Sequence, residues 1–237
     1  MVIAEYADYP RLIAALAVGY LLGSIPFAYL AARLRGVDIF TTGSHRAGTA
    51  NVFWNVGRRT GTLVFVGDVA KGSAAVLVAE LLDVPWTFTL LAGGAAVLGH
   101  WNSVFSGFRG GDGMATLLGV VLALEPTLAA LGVIGGMAVV LLLRRSPSRS
   151  SWGIVACATI MLSVSQYYQL DRELVMGLVA LAMLVLFHSV VSRRRVRPSD
   201  VGPDAALDLR LDPDFDLDLE PAPDSNPDLG VPTPESP

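Results

Sequence analysis

Seven apolar runs, at approximately 12–34, 61–82, 85–101, 113–124, 127–143, 152–166 and 173–191, leave this chain little choice of fold. A helix that spans a bilayer needs about 20 apolar residues, with slack for tilt and packing. The runs approach that length and carry few charges. The fourth is short, and Glu125-Pro126 divides it from the fifth by a tight turn. The expected fold is therefore an all-α integral membrane protein with seven transmembrane helices. Hydrophobic residues make up 53% of the 237 and charged residues only 16%, which excludes an ordinary soluble domain.

The net charge of −4 conceals a division by region. Residues 1–197 hold 16 Lys+Arg against 10 acids, whereas residues 198–237 hold one Arg against 11 acids. With the N-terminus outside, the inside connections receive Arg33, Arg35, Arg46, Arg58, Arg59, Arg109, Arg144, Arg145, Arg149, Arg193, Arg194, Arg195 and Arg197. The outside connections receive Arg11 and Arg172. Positive residues collect on the cytoplasmic side, so the expected topology is N-terminus outside and C-terminus cytoplasmic, in a multi-pass membrane protein. No basic region or small-residue cleavage site precedes Leu12, and the first run is read as a retained span. The chain divides into a membrane domain, 1–197, and an acidic tail, 198–237. Alternating Asp and Leu with repeated Pro cannot bury enough surface to fold alone, so the tail is expected to be disordered and cytoplasmic. A solvated tail with no specific partner is its simplest reading, and the sequence names no protein partner for it.

Three stretches at inside-facing span ends carry polar chemistry: "GSHRAGTANVFWNVG" at 43–57, "GDVAKG" at 67–72 and "GHWNSVFSGFRGGDGMATLLG" at 99–119. Each offers backbone donors or a cation, and together they can line one polar pocket between helices. Glycines let a backbone turn sharply and bring N–H groups near a ligand. An apolar helix starting after Gly113 would aim the positive end of its dipole at the same place. Asp68 and Lys71 lie inside a span, where ionisable groups are expensive. At i and i+3 they can pair, as a structural ion pair or with Lys71, the only lysine in the chain, as a phosphate-binding point charge. Both readings stay open on spacing alone. His100, next to Trp101, is by position an interfacial residue.

Several classes of chemistry find no support. The three histidines are scattered, with no HExxH or CxxC spacing, so no metal site is expected. No Gly-x-Ser-x-Gly elbow is present. Cys157 is the sole cysteine and reads as a small packing residue. Gly132 and Gly136 have the spacing of a close helix contact. No inverted repeat points to a transporter, and nothing suggests nucleic acid.

In these stretches the sequence resembles the PlsY family, the acyl-phosphate:glycerol-3-phosphate acyltransferases. The family's first motif reads GSGNxGATNxxR, and Gly43, Ser44, Gly48 and Asn51 match it. "GDVAKG" matches GDxxKG in full. The third stretch is similar to GHxFPVFLxFKGGKGVAT, retaining Gly99, His100, Val104, Phe105, Gly110, Gly111, Gly113, Ala115 and Thr116. The resemblance implies transfer of an acyl group from acyl phosphate to the 1-hydroxyl of glycerol 3-phosphate, forming lysophosphatidic acid among membrane lipids without metal or organic cofactor. It also implies roles. Ser44 positions substrate with help from Asn51, and His100 orients a substrate or accepts a proton. Lys71, Arg46 and Arg109 bind phosphate, while Gly110, Gly111, Gly113 and Thr116 belong to a loop of N–H donors.

Three departures stand out. The family's arginine falls on Trp54, its motif-one asparagine on Arg46, and the second lysine of KGGKG on Asp112. A final motif resembling HRENIKRLLxGTE is barely present after His188. These changes raise an alternative, a homologue that binds lipid or a partner without catalysis. An Asp112 pair with Arg46 or Arg109 could hold the loop closed.

Overall fold

In the computed structural model, which describes residues 9–143, 149–167 and 171–195, every regular element among those residues is a helix. The helices are α1 (Tyr9–Ser24), α2 (Phe27–Arg33), α3 (Thr49–Asn55), α4 (Arg58–Leu81), α5 (Trp86–Trp101), α6 (Met114–Leu124), α7 (Pro126–Leu142), α8 (Arg149–Tyr167) and α9 (Arg172–Arg195). Among the described residues, three segments are long and apolar enough by themselves to cross a membrane: Tyr9–Arg33, Arg58–Leu81 and Arg172–Ser192. Shorter apolar helices lie between them at Met114–Leu124, Pro126–Leu142 and Val155–Gln166. The protein is an all-helical membrane protein. The acidic tail expected at 198–237, with Arg144, Arg145 and Arg197, lies outside the described residues.

The first apolar run, read from sequence as one helix, is two. Pro26 has no N–H and cannot continue the ladder, so α1 ends at Ser24 and α2 starts at Phe27. The break turns two carbonyls toward other elements. Ser24 O accepts from Ser103 Oγ, and Ile25 O accepts from Lys71 Nζ at 3.2 Å. A kink inside a membrane thus becomes part of a polar site, where its freed backbone groups find partners. The turn expected at Glu125-Pro126 is present, with Glu125 N–H bonded to Val121 O and Pro126 opening α7.

Small residues bring the helices into register. Between α1 and α5, a Cβ on Gly19 would stand 2.6 Å from the Ala92 carbonyl oxygen, and Gly23 faces Ala96 in the same way. Between α4 and α6, Gly72 faces the Thr116 carbonyl and Gly119 faces that of Val69, while Ser73 Oγ donates to Gly119 O at 2.8 Å. Gly132 and Gly136 of α7 lie against Cys157 and Gly153 of α8. Lipid tails are as apolar as leucine, so helices in a membrane associate by close packing at small residues rather than by hydrophobic exclusion. The first two seams set the kink, the middle of α4 and the end of α5 side by side. A separate apolar cluster including Ala28, Ile39, Val52 and Val64 anchors the polar loop 34–48 onto α2, α3 and α4.

Candidate active site

Asp68, Lys71 and His100 form one buried ionic cluster. Lys71 Nζ lies 2.8 Å from Asp68 Oδ1 and 2.8 Å from His100 Nδ1, and the two side chains of the ion pair are 3% and 2% exposed. Thr49 Oγ1 donates to Asp68 Oδ2 at 3.2 Å. With the Ile25 carbonyl, the ammonium has three partners for three N–H groups, the satisfaction that a charge sealed from water requires. With Nδ1 of His100 turned to the ammonium, the other ring nitrogen, Nε2, points away from the ion pair. That nitrogen faces Gly111, where a Cβ would stand 2.6 Å from it.

The loop after α5 packs directly over this cluster. Gly111 N–H donates to His100 O and Ala47 N–H to Gly110 O, each at 3.3 Å. Trp101 Nε1 donates to Asp112 O at 2.9 Å. Gly113 has φ +84°, a left-handed conformation that glycine adopts without steric cost, and it caps α6. The first turn of α6 has neither an acidic residue nor a side-chain cap, so its N–H groups and dipole add positive potential to the loop. A small cavity opens between the kink, the cluster and the loop, with Pro26, Lys71, His100, Ser103, Arg109 and Gly110 among its walls.

The cations around it are held differently. Arg46 pairs with Asp112, with side chains 14% and 22% exposed. Arg109 is exposed and lies 3.8 Å over the Phe40 ring. Among the described residues it is the cavity cation without a carboxylate contact.

Of the residues singled out in the sequence, Lys71, His100, Arg109 and Gly110 meet at the cavity, with Gly111 directly behind. Ser44 lies exposed on the neighbouring loop. Asn51 is buried, and its amide nitrogen donates to carbonyls of that loop, at 2.8 Å to Arg46 O and 3.0 Å to Thr42 O. Its Oδ1 accepts from Asn55 at 2.8 Å. Asn51 therefore shapes the loop that carries Ser44 and Arg46. Thr116 is fully buried in the α4–α6 seam, away from the cavity. Trp54, at the family's arginine position, is exposed with the Arg58 guanidinium 5.9 Å over its ring. Thr49, Ser103 and the Ile25 carbonyl join the site without having been expected there. Pro26 inside an apolar run was the only signal for the last.

Residues 13–197 match the family model described as glycerol-3-phosphate acyltransferase. The chain belongs to the glycerol-3-phosphate acyltransferase family. A relative named glycerol-3-phosphate acyltransferase from Geotalea daltonii is 39% identical over 175 residues, covering 74% of this chain and 89% of that protein. One of the same name from Geobacter metallireducens is 51% identical over 111 residues, 47% of this chain and 57% of that protein. Among solved structures, the glycerol 3-phosphate form of PlsY, an integral membrane glycerol 3-phosphate acyltransferase, is similar with a TM-score of 0.67 and 31% identity, over 78% of this chain and 90% of that one. Its lysophosphatidic acid form gives a TM-score of 0.62 at 28% identity, over 84% and 98%. The family model, starting at residue 13, extends through α9, where the final motif is faint.

Proposed function

We propose that this protein transfers the acyl group of acyl phosphate to the 1-hydroxyl of glycerol 3-phosphate. The hydroxyl oxygen attacks the carbonyl carbon, the bond from that carbon to the phosphate oxygen breaks, and phosphate leaves with the electron pair. The hydroxyl proton ends on the released phosphate. An activated donor of this kind calls for anion binding and positioning more than for covalent help. The observation that carries the reading is the meeting of Lys71, His100, Arg109 and Gly110 at one cavity in a chain of this family.

In this reading Lys71 supplies fixed positive charge, Arg109 and Arg46 meet the phosphate groups, and loop N–H groups receive oxygen. Ser44 orients the acceptor, on a loop shaped by Asn51. His100, with Nδ1 engaged by Lys71, acts through Nε2 as a donor and an orienting group. Thr116 acts by seating α6 beneath the loop. The alternative without catalysis is not favoured, because the family model and relatives named glycerol-3-phosphate acyltransferase support the enzymatic reading, in which Arg46 takes the part of the cation absent at 112.

The same reading places the protein in a bacterial inner membrane with seven spans, the N-terminus outside and the site facing the cytoplasm. Residues 1–197 form the enzyme and 198–237 an acidic cytoplasmic appendage. Reporter fusions at the connections check this topology. The decisive assay is phosphate release from acyl phosphate by detergent-purified protein, with and without glycerol 3-phosphate. Acceptor-dependent release is expected, and its absence overturns the enzymatic reading.

A further inference from the structure

Arg46 meets phosphate in the reading above, whereas its partner Asp112 has no role there. Where the resembled motifs have asparagine and lysine, this chain has arginine and aspartate, so a cation has crossed from one loop to the loop facing it and a carboxylate has taken its old place. Resting on the phosphate-binding reading above, we propose that Asp112 is a built-in competitor of phosphate for Arg46. The carboxylate occupies the guanidinium in the empty site, yields it when a phosphate group arrives, and reclaims it to help expel the inorganic phosphate product.

Four observations carry this. A guanidinium has five donors and receives carboxylate and phosphate in the same forked geometry, so the two anions are interchangeable ligands for it. The pair is part-buried at 14% and 22%, less enclosed than the Lys71–Asp68 pair at 3% and 2%, which leaves an edge at which an anion can approach. The loops have a second contact, because Ala47 N–H donates to Gly110 O between them, while Gly111 N–H to His100 O and Trp101 Nε1 to Asp112 O hold the Asp112 loop onto the end of α5. The Arg46 backbone is likewise held by Asn51 Nδ2 at 2.8 Å, which leaves the guanidinium free to exchange partners while its loop stays in place. Asp112 is thus a positioning residue, acting on substrate and product through Arg46.

The test is calorimetric titration of the detergent-purified full chain with inorganic phosphate, with no acyl donor present. Asp112→Asn is expected to bind phosphate about tenfold more tightly, the effect of removing one competing charge near a partly exposed site. In an Arg46→Gln background the same substitution is expected to change affinity less than twofold. In Arg46→Lys, which keeps a cation, most of the tightening returns. Unchanged or weaker phosphate binding by Asp112→Asn overturns the proposal. Equal tightening with and without Arg46 also overturns it, since Asp112 would then act as a general field. Thermal unfolding of each variant identifies any that do not fold. Acyl transfer with this pattern absent defeats the inference alone, whereas the pattern without acyl transfer defeats the enzymatic reading and leaves the inference standing.

Discussion

Lys71–Asp68 and Arg46–Asp112 each join a cation to a carboxylate in the same site, but the first is sealed beneath the loop and the second lies at its edge. The sealed pair has further partners in His100, Thr49 and the Ile25 carbonyl. The edge pair is partly exposed. Removing one member of a buried pair leaves an uncompensated charge and is strongly destabilising. A partly exposed pair contributes less to stability and is more available for exchange. The comparison separates charge that is part of the scaffold from charge that can be lent to a ligand.

The largest expected effect breaks the sealed pair. Asp68→Asn leaves Lys71 buried without its carboxylate and is expected to lower stability by about 3–5 kcal/mol, read as denaturation of the detergent-solubilised protein. A double Asp68→Leu, Lys71→Met substitution sharpens the point. It is expected to recover most of that stability, because apolar side chains of similar volume replace such pairs well, while acyl transfer stays strongly reduced. Recovered transfer would show that the cluster serves the scaffold alone.

Lys71→Ala comes next in catalysis. Loss of a fixed cation facing developing phosphate charge is expected to reduce kcat/KM by about 10²–10³-fold, measured as acceptor-dependent phosphate release. An unchanged rate would remove Lys71 from the chemistry. Thr49→Val tests the rim of the sealed cluster. It deletes one hydrogen bond to Asp68 and is expected to cost about 1–2 kcal/mol with a modest fall in rate. The smallest effect belongs to the open pair: Asp112→Asn is expected to change stability by no more than about 1 kcal/mol. A larger loss would place it in the scaffold with Asp68, and the contrast between the two pairs would disappear.

Much of this arrangement is legible in the order of the residues. The apolar runs coincide with α1–α2 and α4–α9, the i, i+3 spacing of Asp68 and Lys71 delivers a contact, and the Gly132 and Gly136 spacing delivers a helix seam. The glycine-rich loop leads into α6 as its composition suggests. Other features are not legible there. Asn51 and Thr116 look like ligand residues in a motif, yet one ties its own loop together and the other fills a seam. A motif preserves residues that build a site as firmly as those that touch substrate, and only contacts tell them apart.

The sequence by itself determined the helices, their membrane character, the family and the three stretches that make the site, because hydrophobic runs and local spacing act within a few turns of one helix. The tertiary structure decided which charges meet. Arg46 reaches Asp112 across 66 positions of chain, and Lys71 reaches His100 across 29. Those meetings depend on a proline break that frees carbonyls, on glycine seams that set helix spacing, and on a left-handed turn at Gly113 that aims the loop. Such long-range geometry has no local signature, since it arises from how separate helices pack rather than from any one of them.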